Sequence, residues 1–220
     1  MASIPIAREC APSRGLAWQA VGVFERVGSA ALMVALGPVL AGGAAMLSLL
    51  SGRTPLIAHK RVGWRGTTLW MLKLRTMWHD EARPPRRGSR WVEYIEDEAG
   101  PRRKHADDPR VTNSFARFCR RHSIDELPQL WHVIRGEMAL VGPRPATAGE
   151  VREFYGADAG EILQLKPGIA GLWQISGRNR LSYEDRRRLD LEYVRGRSLR
   201  MYARILVRAI VEVWSGANSW

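Results

Sequence analysis

The chain has 220 residues, 45% apolar and 25% charged, which suits one domain of ordinary size plus an appendage and excludes a disordered chain. Its net charge of +12 is unevenly placed: residues 1–52 hold 3 basic and 2 acidic side chains, residues 53–121 hold 17 and 8, and residues 122–220 hold 14 and 12. A diffuse basic surface is therefore excluded. With Cys10 and Cys119 as the only cysteines, so is a disulfide scaffold; no Cys/His spacing suggests a zinc site, and the folded part is expected to face a reducing compartment.

From Val27 to Gly52 no charged residue or histidine occurs, a run of 26 positions between Arg26 and Arg53. As a straight helix it would reach roughly 39 Å, more than the roughly 30 Å of bilayer hydrocarbon. Gly37-Pro38 near its middle removes a backbone donor, and Gly42-Gly43 loosens the backbone further. Cut at Gly37, the halves Val27–Leu36 and Val39–Leu50 reach only about 15–18 Å each, so a hairpin of the two would dip into one leaflet and return. Arg8, Arg14 and Arg26 on one flank and Arg53, Lys60, Arg61 and Arg65 on the other favour keeping both ends on the cytoplasmic side. A kinked transmembrane helix stays open, since such helices tolerate proline. A cleaved signal peptide fits less well, because the stretch is too long for an h-region.

Beyond it, the segment Pro55-Leu-Ile-Ala-His59 and the segment Trp70-Met-Leu-Lys-Leu-Arg75 read as short strands around a turn at Gly63–Gly66. Residues 79–108 are highly charged and interrupted by Pro84-Pro85, Gly88 and Gly100-Pro101, which predicts an exposed loop with some helix. Apolar spacing predicts helices over Phe115–Arg121, Leu127–Arg135 and Val151–Leu165, and from Ser182 to the end. Lys166–Arg178 reads as a glycine-punctuated loop that either wraps a ligand or merely joins two helices. In the last helix Arg200, Arg204, Arg208 and Glu212 line one face, while Leu199, Tyr202, Leu206, Ile210, Val213 and Trp214 cover much of the rest. That pattern suits a helix lying in a membrane interface or one packed on a core.

Asp125 and Glu126 are adjacent carboxylates between the basic cluster Arg117–Arg121 and Pro128. Ser123 and Glu126 have capping-box spacing, but Pro128 would then fall in the fifth helical position, where it is costly. Pro128 fits better as the first residue of a helix to Arg135, leaving both acids on its approach. A carboxylate beside Arg120, Arg121 and a positive helix end stays ionised and suits a nucleophile or a metal ligand. Two together can hold a hard cation such as Mg²⁺, and Lys73, Arg75, Arg120 and Arg144 suit a polyphosphate. Arg144 stands between two prolines in Val141-Gly-Pro-Arg-Pro145, a rigid frame in which a cis peptide bond is admissible.

In order along the chain stand Arg61-Val-Gly63, Lys73-Leu-Arg-Thr-Met77, Asp108-Pro-Arg110, Ser123-Ile-Asp-Glu-Leu-Pro-Gln-Leu130, Val141-Gly-Pro-Arg-Pro145, Lys166-Pro-Gly168, Gly171-Leu-Trp-Gln174 and Ser176-Gly-Arg178. From about Phe24 onward the chain thereby resembles the monotopic polyprenyl-phosphate phosphoglycosyltransferases, or bacterial sugar transferases, in their small form. The resemblance implies a mostly helical α/β cytoplasmic catalytic domain over residues 53–220, a re-entrant helix-break-helix membrane hairpin over 27–52, a leader over 1–26 and amphipathic interfacial helices. It implies transfer of a sugar-1-phosphate from a UDP-sugar to polyprenyl phosphate with release of UMP, dependent on Mg²⁺, through a covalent phosphosugar on the aspartate of the Asp-Glu pair. Carried over, Asp125 is the nucleophile, Glu126 supports the metal, Arg120 binds the phosphate and Arg144 the nucleotide, with Lys73, Arg75, Arg178 and Asp190 as further substrate contacts. The expected partners are UDP-sugar, polyprenyl phosphate and the lipid bilayer of the bacterial inner membrane. A homodimer stays open, and nucleic acid is not expected.

The chain departs from the family pattern in having Gly37-Pro38 for Ser-Pro, Leu74 for an aromatic residue, and His132 where asparagine is common. Two other readings are a tethered nucleic-acid-binding protein, suggested by Trp64, Trp70, Trp78 and Trp91 among basic residues but lacking a recognised module, and a catalytically degenerate membrane-surface protein.

Overall fold

The computed structural model describes residues 15–78, 91–96, 111, 113–177 and 181–215. Helix α1 spans Leu16–Ser51 and ends on Gly52, whose left-handed conformation (φ 64°) lets its N–H donate to the Ser48 carbonyl at 2.8 Å. It begins well before Val27, and its helical backbone continues through Pro38, so the expected interruption at Gly37 leaves no non-helical residue. Proline removes only its own donor, and in an apolar run the helix remains the one way to pair the other backbone groups. The buried residues Glu25, Ser29, Gly43 and Leu47 are spaced by 4, 14 and 4 positions, which at 3.6 residues per turn puts them on one stripe. Along that stripe Glu25 accepts the Leu140 N–H at 2.8 Å and the Tyr202 hydroxyl at 3.0 Å. Further on, Leu40, Ala44 and Leu47 pack against Leu74 and Trp78. Both ends of the helix thus rest on the same folded body, while Leu16, Val23, Phe24, Val27, Val34 and Leu49 remain exposed on the outer side.

Strands β1 (Leu56–Val62) and β2 (Thr68–Leu74) form the expected antiparallel hairpin, with Leu56 opposite Leu74 and Val62 opposite Thr68. A third strand, β3 (Val92–Ile95), pairs in parallel with the far edge of β1, giving the order β2-β1-β3. Over 92–95 it replaces the expected loop and helix, while residues 79–90 and 97–108 of that stretch lie outside the described residues. Val92, Tyr94 and Ile95 are good strand formers, and Tyr94 meets Trp70 edge-on at 5.1 Å, but the surrounding charge hides this short pattern in sequence. Helix α2 (Ser114–Arg121) is capped by the Asn113 side chain, which accepts from the Ala116 N–H at 2.7 Å. A 3-10 turn over Ile124–Gln129 leads into α3 (Leu130–Arg135), closed by Gly136 at φ 76°.

A second, two-stranded parallel sheet joins β4 (Ala139–Val141) to β5 (Gly168–Ala170). A Cβ at Gly168 would stand 2.1 Å from the Gly142 nitrogen, and one at Gly142 would stand 2.4 Å from the Lys166 carbonyl oxygen, so both positions need glycine to let the two backbones meet. No cis peptide bond occurs among the described residues, so the one admitted around Pro143 and Pro145 is not formed. The single helix expected over Val151–Leu165 is instead a broken series: α4 (Ala148–Glu150), a π turn over Val151–Tyr155, a 3-10 turn over Gly156–Asp158 and α5 (Ala159–Ile162). Gly156, at φ 49°, disrupts the run. Lys166–Arg178 is more ordered than expected, since it supplies β5 and α6 (Leu172–Ile175). The C-terminal helix is two, α7 (Tyr183–Arg195) and α8 (Leu199–Ser215). Tyr193, Tyr202 and Ile205 from these helices close a core with Val141 and Ala170.

Candidate active site

The two carboxylates are set by the 3-10 turn. Ser123 adopts a left-handed backbone (φ 52°) and makes no side-chain cap, so the capping-box alternative is not realised. Its carbonyl instead accepts the Glu126 N–H at 3.0 Å. Pro128 lies inside the turn, and α3 starts two residues later than expected, at Leu130. Asp125 is only 6% exposed. Burial, with the charge of Asp125 as a second cause, pushes the Cys119 thiol up to about 11. Cys119 and the neighbouring Arg120, in the last turn of α2, are buried as well.

Strand alternation explains the position of Lys73. Leu69 and Met71 face Val133 and Met138, and Lys73 shares their side of β2. The ammonium is thereby aimed at the turn before α3, where it donates to Glu126 Oε1 at 2.7 Å. Beside this pair runs a cleft of about 110 Å³ bordered by Ser123, Glu126, Leu130, Gln174, Ala209 and Val213. The end of α8 thus forms one wall of the space that Glu126 faces. Arg75 has a different setting: it donates to the Thr54 carbonyl at 2.7 Å and to the Thr54 hydroxyl at 2.9 Å, and it pairs with Glu93, fastening β2 to β3. Arg178, and the motif Asp108-Pro-Arg110, lie outside the described residues.

A second group forms next to this cleft through α6, where Gln174 lines the cleft and the preceding Trp173 turns to the arginines. The Arg144 guanidinium lies 5.1 Å from the Trp173 ring centre and 3.7 Å from Glu150. Asp190 is 1% exposed; its Oδ2 accepts the Tyr155 hydroxyl at 3.0 Å and the Arg144 N–H at 3.4 Å. Burial drives its carboxyl up to about 7 against these hydrogen bonds. Arg186 escaped the sequence reading, yet its guanidinium stands 5.0 Å from Trp173 and 4.9 Å from Tyr183. The available signal was its spacing of four from Asp190, which puts both on one face of α7. Burial, then the positive charge of Arg144, lowers its pKa. Arg144 Nε, Trp173 Nε1 and Asp190 Oδ1 have no protein hydrogen-bond partner among the described residues. The buried Arg186 and the half-buried Arg144, both beside Trp173, make this a positively charged corner that suits an anionic ligand.

A profile of the family described as bacterial sugar transferase matches residues 17–216, nearly the whole chain. The chain belongs to the bacterial sugar transferases. This sugar transferase is 40% identical over 187 residues to a UDP-galactose-lipid carrier transferase of Erwinia amylovora, covering 85% of this chain and 39% of that protein. It is 37% identical over 188 residues to the exopolysaccharide production protein ExoY of Sinorhizobium fredii, covering 86% and 82%. A UDP-glucose:undecaprenyl-phosphate glucose-1-phosphate transferase of Caulobacter vibrioides is 33% identical over 213 residues, covering 90% and 71%. The shared region thus takes in α1, both sheets and the carboxylate turn of this sugar transferase.

Proposed function

We propose that this chain transfers a sugar-1-phosphate from a UDP-sugar to undecaprenyl or a related polyprenyl phosphate, releasing UMP, as the first membrane step of an exopolysaccharide or glycoconjugate pathway. The observation that carries the reading is the buried Asp125 on a tight turn next to Glu126, which Lys73 holds on a cleft that α8 borders. A carboxylate so placed can attack phosphorus. One Asp125 oxygen forms a bond to the β-phosphorus of the UDP-sugar. The bond from that phosphorus to the bridging oxygen breaks, and UMP leaves with the electron pair. An oxygen of polyprenyl phosphate then attacks the same phosphorus, frees Asp125, and yields a polyprenyl-diphosphate sugar. Arg120, Arg144 and Arg186 offset the charge of the diphosphate, and Lys73 keeps Glu126 oriented.

Asp125 and Glu126 would hold Mg²⁺. Among the described residues no group of three or more His, Cys, Asp or Glu side chains forms a protein cage, and a pair of adjacent carboxylates fits an ion that keeps waters and takes substrate oxygens. When bound, the ion neutralises charge developing on the transferred phosphoryl group.

The lipid acceptor implies a membrane surface. The exposed outer side of α1 is embedded in one leaflet from the cytoplasmic side of the inner membrane, with both ends kept on that side, and α8 lies in the interface. The supporting features are the contacts of both α1 ends with one body and the exposed Leu199, Val207, Ile210, Val211 and Trp214, flanked on the same helix by Arg200, Arg204 and Arg208. The test is UMP release from a panel of UDP-sugars with Mg²⁺ and polyprenyl phosphate. Asp125→Asn should abolish release, and radiolabelled phosphosugar should be retained on the protein when acceptor is omitted. Full turnover by Asp125→Asn would overturn the covalent route.

A further inference from the structure

The alternation that turns Lys73 toward α3 also leaves a backbone group that the sheet cannot use. β2 is an edge strand, and its bonds to β1 run through odd-numbered residues, as the Arg75 N–H to Pro55 carbonyl (2.8 Å) and Gly63 N–H to Thr67 carbonyl (2.7 Å) bracket the ladder. The Leu72 N–H therefore points away from the sheet into the space beneath α3. A buried donor without an acceptor is costly, and no strand among the described residues supplies one. His132 does so: 5% exposed on α3, it accepts the Leu72 N–H on Nε2 at 3.2 Å.

That contact settles the proton on the ring. Nε2 must carry the lone pair, so Nδ1 bears the hydrogen and donates it to Glu137 Oε2 at 2.6 Å. Glu137 is held in turn by Arg135 Nε at 2.8 Å. The segment from the 3-10 turn through α3 thus grips β2 at two neighbouring points, His132 on Leu72 and Glu126 on Lys73. The first grip involves only groups fixed by backbone and core; the second joins a flexible lysine to the carboxylate beside Asp125.

We infer that His132, held in its Nδ1–H form by Glu137, is a positioning residue that sets the Lys73–Glu126 pair by fixing the separation of β2 and α3. Its catalytic consequence rests on the reaction proposed above. Misplacing reacting groups by about 1 Å costs up to about a hundredfold in rate. His132→Leu keeps the volume and removes the acceptor. It should lower the maximal rate of UMP release about tenfold or more, with the KM for UDP-sugar changed less than about twofold. His132→Asn offers an amide oxygen to Leu72 and should stay within about threefold of the parent rate. Glu137→Ala, at a partly exposed position, should fall between the two.

Hydrogen exchange of the peptide covering residues 69–75 reads the same contact without turnover. Leu72 protection should be lost in His132→Leu, kept in His132→Asn and weakened in Glu137→Ala. Unchanged exchange in His132→Leu would overturn the inference, as would equal rate losses in the Leu and Asn variants, or a rise in KM at constant maximal rate. Should His132→Leu fail to fold, parent-like exchange and rate in Glu137→Ala would overturn it equally. If the parent releases no UMP from any UDP-sugar, the proposed reaction fails, while the exchange result still decides whether His132 holds β2.

Discussion

At the residue scale, the site combines charges that burial would ordinarily forbid, and each is tolerated for a stated reason. Lys73 and Glu126 are a partly buried pair at 2.7 Å, so removing one member leaves the other uncompensated. Lys73→Met should therefore lower the maximal rate by about a hundredfold, equivalent to about 2–3 kcal/mol for a lost hydrogen bond to a charged group, while the protein remains folded by circular dichroism. Asp190 carries a different signature. Its folded pKa of about 7 lies above the unfolded 3.8, so between those values the native state binds more proton than the unfolded one. The stability this contributes is full below about pH 4 and is lost as pH rises toward 7. Denaturant midpoints of Asp190→Asn should vary less with pH than those of the parent across this window, and an identical slope in the two proteins would contradict the assignment. The placement of Asp125 and Glu126 on the approach to α3, without a Ser123 capping box, was legible in sequence because Pro128 fits poorly inside a helix started at Ser123. Arg186 was not, because an arginine in the run Arg186-Arg-Arg188 looks like solvated surface until Trp173 and Tyr183 are brought beside it.

At the element scale, what decided the outcome was whether the signal was local. The β1–β2 hairpin, α2 and the end of α3 at Arg135 were readable from alternation and spacing within a dozen residues. The parallel partners were not: β3 is recognised only through β1, and β5 only through β4, contacts that no short window contains. The β4–β5 pairing depends on glycine at a position where a methyl group would meet backbone 2.1 Å away. Gly168→Ala should consequently shift one strand and destabilise the protein by about 1–3 kcal/mol, read as a lower melting temperature with reduced UMP release. Helix α8 shows the opposite limit. Its sequence allowed a packed or an interfacial helix, and the structure buries Tyr202 and Ile205 while leaving Val207, Ile210, Val211 and Trp214 exposed. Replacing Val207 and Val211 together by glutamate should weaken sedimentation with anionic lipid vesicles several-fold while leaving the melting temperature near that of the parent, because neither side chain contributes to the core.

At the scale of the whole molecule, the apolar helix and the catalytic body are one structure, and their attachment bears on topology. Counting apolar residues could establish that α1 is long enough to cross a bilayer but not which way its ends face. The contacts are more informative. Glu25 is fixed to Leu140 and Tyr202, and Leu47 to Leu74 and Trp78, so both ends are held by groups that belong to the same folded domain. A helix crossing the bilayer would have to release one of these attachments and leave its partners exposed. Release at the Glu25 end would strand a carboxylate in or near hydrocarbon, which is costly. The arginines flanking the apolar run on both sides oppose crossing as well. Single cysteines introduced by Leu16→Cys and Leu50→Cys, in a chain with Cys10 and Cys119 replaced by serine, report directly on this geometry. In intact spheroplasts a membrane-impermeant maleimide should label neither position, and after permeabilisation it should label both. Labelling of one position alone in intact spheroplasts would show that α1 crosses the membrane, and the two-ended attachment to the catalytic body would then have to be abandoned.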